Sequence, residues 1–288
     1  MAPASTVHER IAAARQRLRG AGIPHDEAAL DARLLAQYVL GWDATRILAA
    51  DRDDDPPGFE GQFEVVVARR VRREPLAYIT GSREFWNLTF AVTPDVLIPR
   101  PETESLVECV LERFPEPDPS LRIADVCTGS GCVAVAIAHE LPLARLVATD
   151  ISEAALAIAS RNANRLGVSD RIRLVRADLL EGLSGPFDVI VANPPYVPRR
   201  HKPGLQPEVR AFEPSIALFG GPDGLAIMER LIEQSISRLR PGGALVFEFG
   251  DGQESAVVEL ISSRPGLTMV STKPDLAGIP RVAIAVRG

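Results

Sequence analysis

Asn193-Pro194-Pro195-Tyr196 is the stretch of this sequence best suited to chemistry by residue type and spacing. Proline lacks an N–H and fixes φ, and the residue before a proline is pushed into extended backbone. Asn193 and Pro194 are therefore both held extended. The tetrapeptide becomes a stiff edge built from the Asn193 side-chain amide, the Pro194 carbonyl and the Tyr196 ring. Such an edge can grip a small planar group with N–H donors, an amide or an exocyclic amine. The same residues could instead simply end a strand, because short motifs often occur by chance.

The surrounding elements bear on that choice. Phe187–Ala192 is an apolar run that reads as a buried strand, which puts the motif at a strand's carboxyl end, where open α/β sheets bind ligands. Asp125-Val126-Cys127-Thr128-Gly129-Ser130-Gly131 joins an earlier strand to a helix. Its glycines allow a tight turn and let a ligand approach backbone amides at the helix N-terminus. Asp150 ends the next strand about 20 residues on, where a carboxylate can accept ribose hydroxyls. Asp178 follows the third strand and Asn193 the fourth, so one edge of the sheet collects a polar residue from each.

Strands are expected at 122–126, 146–149, 172–176, 187–192, 244–249, 267–270 and 282–286, with helices near 132–140, 153–166, 225–239 and 254–263. This alternation predicts an α/β fold, a mostly parallel sheet covered on both faces, with the last strand returning antiparallel. The loop Gly129-x-Gly131-x-x-Ala134 also fits the loose fingerprint of a nicotinamide-dependent dehydrogenase. Two features favour another ligand. Asp125 would lie badly beside a pyrophosphate but suits an ammonium group, as S-adenosylmethionine carries, and a dehydrogenase offers no role for 193–196.

The 288 residues, 46% of them hydrophobic, suffice for one large and one small domain. A net charge of −6 argues against affinity resting on phosphate neutralisation, so direct nucleic-acid binding is not expected. Cys109, Cys127 and Cys132 lack CxxC spacing and the four histidines lack HExxH, so neither a metal site nor a disulfide framework is expected. No apolar run reaches membrane-span length, and residues 1–19 are charged throughout, which predicts a cytoplasmic protein.

Residues 5–73 read as about four helices. Thr6-Val7-His8-Glu9 is a capping-box pattern, a second helix carries Leu30, Leu34, Leu35, Val39 and Leu40 as its expected buried side, and an acidic stretch at 51–57 separates the later helices. Arg69-Arg70-Val71-Arg72-Arg73 reads as a solvated helix end favoured by the dipole. From Leu76 to Pro101 the texture is β, with 84–92 alternating like a hairpin arm. A helix is expected from Ser105, and the stretch from Val197 to Pro222, which contains Arg199-Arg200-His201-Lys202, reads as a long loop of the kind that is often functional.

The sequence resembles the HemK/PrmC family of protein-(glutamine-N5) methyltransferases that act on peptide chain release factors. The likeness lies in Pro75-Leu76-Ala77-Tyr78-Ile79-Thr80-Gly81 with Glu84-Phe85-Trp86, in Leu97-Ile98-Pro99-Arg100-Pro101-Glu102-Thr103-Glu104, in the glycine turn, in Asn193 to Tyr196, and in Val209-Arg210-x-Phe212-Glu213-Pro214 with Gly221-x-x-Gly224-Leu225. The resemblance implies a helical release-factor-binding domain (1–74), a β-hairpin linker (75–101) and a Rossmann-like class I S-adenosylmethionine-dependent methyltransferase domain (102–288) with a reversed seventh strand. It implies that Asp125, Cys127, Thr128, Gly129, Ser130, Gly131 and Asp150 bind the cofactor, that Asp178 and Leu179 flank its adenine, and that Asn193 lies between cofactor and substrate. Asn193, Pro194, Pro195 and Tyr196 are then the substrate-binding and catalytic residues.

For a glutamine substrate, the Asn193 oxygen and Pro194 carbonyl would accept the two amide hydrogens while Tyr196 packs on the amide plane. Class I release factors are the expected partner and a monomer the expected state. A ribosomal-protein glutamine methyltransferase, an adenine-N6 DNA methyltransferase and an inactive cofactor-binding module are the alternatives. One departure concerns the turn, where the family usually has glycine and this chain has Cys127, which would have to keep a negative φ.

Overall fold

The computed structural model describes residues 6–50, 56–116 and 118–288. The expected acidic separator therefore lies largely outside the described residues. The chain divides into two units, one running up to Gly81 and including Gln206–Phe212, the other formed by Ser82–Leu205 and Glu213–Gly288.

The first unit contains α1 (Val7–Gly20), α2 (His25–Leu40), α3 (Ala44–Ala49), α4 (Phe59–Val71) and α5 (Leu76–Thr80). The capping box forms: Glu9 N–H donates to Thr6 Oγ1 at 3.2 Å and Thr6 N–H to Glu9 Oε2 at 3.0 Å. Leu18, Leu35, Phe59, Phe63 and Val67 fill the core between these helices.

Four expectations for this region are corrected. Residues 76–80 are helical rather than β, started by Pro75 and stopped by left-handed Gly81. The buried face of α2 is Ala28, Asp31, Ala32, Leu35 and Ala36, and Leu30 is 47% exposed. The helix is turned toward Asp31 because that carboxylate accepts from Arg70 Nε at 2.7 Å. Arg70 itself is not a solvated helix end but 2% exposed, and it also donates to Glu27 Oε1 and Glu208 Oε1, both at 2.8 Å. Finally, the stretch 197–222 is not irregular loop. It holds a 3₁₀ segment (Arg199–Gly204) and two short helices (Pro207–Phe212, Ser215–Leu218), the first of which brings Glu208 to Arg70 and to both Nε and Nη2 of Arg73.

The second unit begins with a hairpin, β1 (Ser82–Phe85) and β2 (Leu88–Ala91). Residues 84–92 thus supply parts of both arms rather than one. Trp86 and Asn87 both take positive φ, as a two-residue primed turn requires. Trp86 is held there by its N–H on Glu104 Oε1 and its indole N–H on Glu140 Oε1, each 2.8 Å. Phe85 and Phe90 enter the core formed by α6 (Glu104–Arg113) and α7 (Cys132–Glu140).

The main sheet has seven strands: β3 (Arg122–Val126), β4 (Arg145–Asp150), β5 (Ile172–Arg176), β6 (Phe187–Ala192), β7 (Leu239–Glu248), β8 (Leu267–Pro274) and β9 (Pro280–Arg287). Their order is β5-β4-β3-β6-β7-β9-β8, and β9 runs antiparallel to both neighbours, as expected for the last strand. Helices α8 (Glu153–Arg165), α9 (Ala226–Ile236) and α10 (Glu254–Ser262) join α6 and α7 in the two core clusters that cover the sheet. The expected helix at 225–239 is shorter than anticipated because β7 starts at Leu239. Strand order reverses between β3 and β6, creating the crevice where such sheets take ligands.

Candidate active site

Parallel pairing of Val126 with both Thr149 and Ala192 aligns the carboxyl ends of β3, β4 and β6. The residues that follow, the turn after Asp125, Asp150 and Asn193, therefore emerge at one level. They line a single cavity together with Thr128, Gly129, Ser130, Asp178, Leu179 and Pro195. Apolar walls come from Val96, Leu97, Ala217 and Ile227. Of the residues expected here from sequence, Gly131, Pro194 and Tyr196 lie outside this lining.

Gly131 acts from behind. Its φ is +79°, and a Cβ there would come within 3.1 Å of Ala159 Cβ, so only glycine lets α7 start this close to α8. Asn162 of α8 braces the same turn. It is fully buried, its Nδ2 donates to the Ser130 and Ala91 carbonyls at 2.9 and 3.0 Å, and its Oδ1 accepts from Ala91 N–H at 2.7 Å.

Cys127 adopts φ +61°, correcting the expectation that it keeps φ negative. A β-carbon in the left-handed region costs about 1–2 kcal/mol. Burial, then Asp150, Asp125 and Asp178, push its thiol above the usual cysteine range, which favours the protonated form. Leu179 is also left-handed, and its carbonyl accepts from Thr149 Oγ1 at 2.8 Å.

The two carboxylates have different environments. Asp150 Oδ2 accepts from Gly129 N–H and Oδ1 from Ser152 N–H, both at 2.9 Å, which fixes the carboxylate at the cavity wall with lone pairs left for hydroxyls. Asp125 is 1% exposed, and its Oδ2 accepts from Thr128 Oγ1 at 2.6 Å and Ala134 N–H at 3.2 Å. Burial dominates and raises it to about 7. Between the ordinary carboxylate value and 7, the folded ligand-free protein holds a proton that the unfolded chain has lost, so this group's contribution to stability falls as pH rises through that window. A cation bound beside Asp125 reverses the preference. The affinity for S-adenosyl-L-methionine is therefore expected to rise by up to about tenfold per unit from pH 5 to 7 and then level off, and calorimetric titration of Asp125→Asn should lose that slope.

Asp178 pairs with Arg230, Nη2 to Oδ2 at 2.8 Å, and Arg230 also lines the cavity. The adenine expected near Asp178 and Leu179 would thus meet an ion pair rather than a free carboxylate. Asn193 donates from Nδ2 to Thr103 Oγ1 at 3.0 Å. Tyr196 turns its hydroxyl to Glu248 Oε1 at 2.8 Å and packs its ring in the core beneath the sheet edge, so the expected stacking on a substrate amide is replaced by a contact from behind. Burial first, then Glu248, raises its phenol well above the ordinary value. Thr103, Glu248, Asn162 and Arg230 escaped the sequence reading. Glu248 did leave a signal, a lone carboxylate in the apolar run from Ala244 to Phe249.

A crevice at the strand-order reversal, an acidic turn after the first strand and a carboxylate with lone pairs free for hydroxyls fit a Rossmann-like methyltransferase. A solved methyltransferase from Pyrococcus furiosus shares this fold, with a TM-score of 0.55 over 77% of this chain and 98% of that one at 20% identity. Residues 9–81 match the family model of the PrmC N-terminal domain and residues 102–205 that of the methyltransferase small domain. Over 98% of its length the chain is 42% identical to the release factor glutamine methyltransferase of Moorella thermoacetica, covering 99% of that protein. It is 46% identical to the one from Geobacter sulfurreducens, over 89% of each chain. The chain belongs to the release factor glutamine methyltransferase family. Its cofactor is S-adenosyl-L-methionine, and the cavity's lining of two acidic residues, Asp125 and Asp150, with apolar walls is compatible with a ligand that carries an ammonium group, hydroxyls and a flat base.

Proposed function

We propose that this protein methylates the side-chain amide nitrogen, N5, of the glutamine in the Gly-Gly-Gln motif of class I peptide chain release factors. The observation that carries the reading is that Asn193 and Pro195 line the same cavity as Asp125 and Asp150, so an amide held at the tetrapeptide edge is next to the bound methyl donor. When bound, S-adenosyl-L-methionine supplies an electrophilic methyl on a positively charged sulfur.

The amide nitrogen is a weak nucleophile because its lone pair is delocalised into the carbonyl. Asn193 Oδ1 accepts one of its hydrogens and the carbonyl of Pro194, the residue between the lining residues Asn193 and Pro195, is the acceptor proposed for the other, which turns the lone pair toward the methyl and favours the positive charge growing on nitrogen. With the cofactor bound, its methyl would pass to the amide nitrogen as the bond to sulfur breaks, and the proton then lost from nitrogen would pass to water. No general base is assigned. The remaining sequence-expected residues of the turn, Cys127 to Ser130, shape the cofactor's wall through their backbone, with Gly131 behind them.

The helical unit is assigned to holding the release factor, and the protein to acting as a cytoplasmic monomer. Among the described residues no helix is long and apolar enough to cross a membrane. A ribosomal-protein glutamine or a DNA adenine would fit the tetrapeptide alone, and full-length likeness to release factor glutamine methyltransferases supports the release factor over both. The test is incubation of purified release factor with the protein and labelled S-adenosyl-L-methionine. One methyl group on the Gly-Gly-Gln peptide, lost when that glutamine is replaced by alanine, supports the reading. Label that survives the replacement refutes it.

A further inference from the structure

Asn193 is gripped from behind by a chain of buried groups. Its Nδ2 lies 3.0 Å from Thr103 Oγ1, Thr103 Oγ1 donates to Glu248 Oε2 at 2.7 Å, and the Tyr196 hydroxyl donates to Glu248 Oε1 at 2.8 Å. Thr103 and Glu248 are 2% and 1% exposed. A hydroxyl carries one proton, and Thr103 and Tyr196 each give theirs to one oxygen of Glu248, so both carboxylate oxygens act as acceptors. Once Thr103 gives its proton to Glu248, its oxygen can only accept from Asn193.

The consequence falls on Asn193. The two ends of an asparagine amide are almost identical in shape and opposite in hydrogen-bonding character. Thr103 requires the NH₂ end, so the carbonyl end is left for the cavity that Asn193 lines. A substrate NH₂ needs an acceptor there. With the amide reversed, donor would meet donor at the reacting nitrogen.

We infer that Glu248, acting through Thr103, is a positioning group that fixes the polarity of the Asn193 amide and so presents Oδ1 to the substrate, with Tyr196 holding the second carboxylate oxygen. Neither Glu248 nor Tyr196 lines the cavity, so both act through other residues. Thr103 is the link. Glutamine at 248 would offer one acceptor and one donor in place of two acceptors, so one of Thr103 and Tyr196 loses the oxygen that takes its proton and the polarity of the chain is no longer fixed.

This inference rests on the proposed methyl transfer to glutamine, so the wild type is measured in the same series. Steady-state methylation of release factor, with cofactor affinity by calorimetry, is compared for wild type, Thr103→Val, Thr103→Ser, Glu248→Gln and the double variant Thr103→Val/Glu248→Gln. Thr103→Val keeps the volume and removes the hydroxyl. It and Glu248→Gln are each expected to lower kcat by about 10- to 100-fold, the range for removing a group that orients a functional ligand, with cofactor Kd unchanged. Thr103→Ser should restore most of the rate. The double variant should be no slower than the slower single, because both break one chain.

Thr103→Val at the wild-type kcat, or losses that multiply in the double variant, would overturn the inference while the reaction stands. A wild type that transfers no methyl to glutamine would overturn the function and the inference together.

Discussion

Asn193→Ala is expected to lower kcat for release-factor methylation by about 10²- to 10³-fold, the cost of losing one preorganised hydrogen-bonding group at a reacting centre. With Asp125 and Asp150 in the cofactor-binding roles proposed for them, the affinity for S-adenosyl-L-methionine should change little. Asn193 contributes to the cavity wall, and its hydrogen bond within the protein runs to Thr103, which lines the same cavity, rather than to a residue of the turn. Single-turnover methylation with cofactor titration separates the two effects. Matching losses in rate and in cofactor binding would mean that Asn193 holds the cofactor rather than the substrate amide.

The second large effect concerns stability. Arg70→Met should destabilise the helical unit by about 3–5 kcal/mol, as removing one member of a buried ion cluster does. It would leave Asp31 buried without its guanidinium and deprive Glu208 of one of its two arginines. The penalty is mostly that of the stranded carboxylates. Replacing Asp31 by leucine as well should therefore recover much of the loss, which denaturant midpoints of the single and double variants would show. Equal midpoints for wild type and Arg70→Met would mean that the cluster is solvated and energetically idle.

These two sites differ in how much the sequence disclosed. Strands β3, β5 and β6 were legible to the residue: β3 and β6 are almost wholly buried and rich in apolar residues, β5 is an edge strand that mixes apolar and charged residues, and a polar residue lies at or just beyond the carboxyl end of each. The cavity residues Asp125, Asp150 and Asn193 follow from that alone. The Arg70 cluster does not, since its partner Glu208 stands 138 residues away and only the folded chain joins them. The amphipathic pattern of α2 misled for the same reason. Its leucines suggested one face, and the buried Asp31 turned another inward.

Backbone conformation was the other blind spot. Cys127 and Trp86 both occupy left-handed backbone that favours glycine or asparagine, so neither residue type announced its turn. At Trp86 the two hydrogen bonds to Glu104 and Glu140 show what compensates. At Cys127 the turn is set by its neighbours, Thr128 N–H on the Thr149 carbonyl and Gly129 N–H on Asp150. Tyr196, expected to pack on the substrate amide, instead has its hydroxyl on a carboxylate of β7 that nothing in the sequence marked as its neighbour.

The central claim is that one sheet edge holds a methyl donor and a glutamine amide together. The most direct measurement offers the protein three acceptors at once, a release factor, a large-subunit ribosomal protein and duplex DNA, with labelled S-adenosyl-L-methionine, and locates the label by peptide mass. Label confined to the Gly-Gly-Gln glutamine is the expected result. Label on the ribosomal protein or the DNA, with none on that glutamine, would contradict the account while leaving the fold and the cofactor in place.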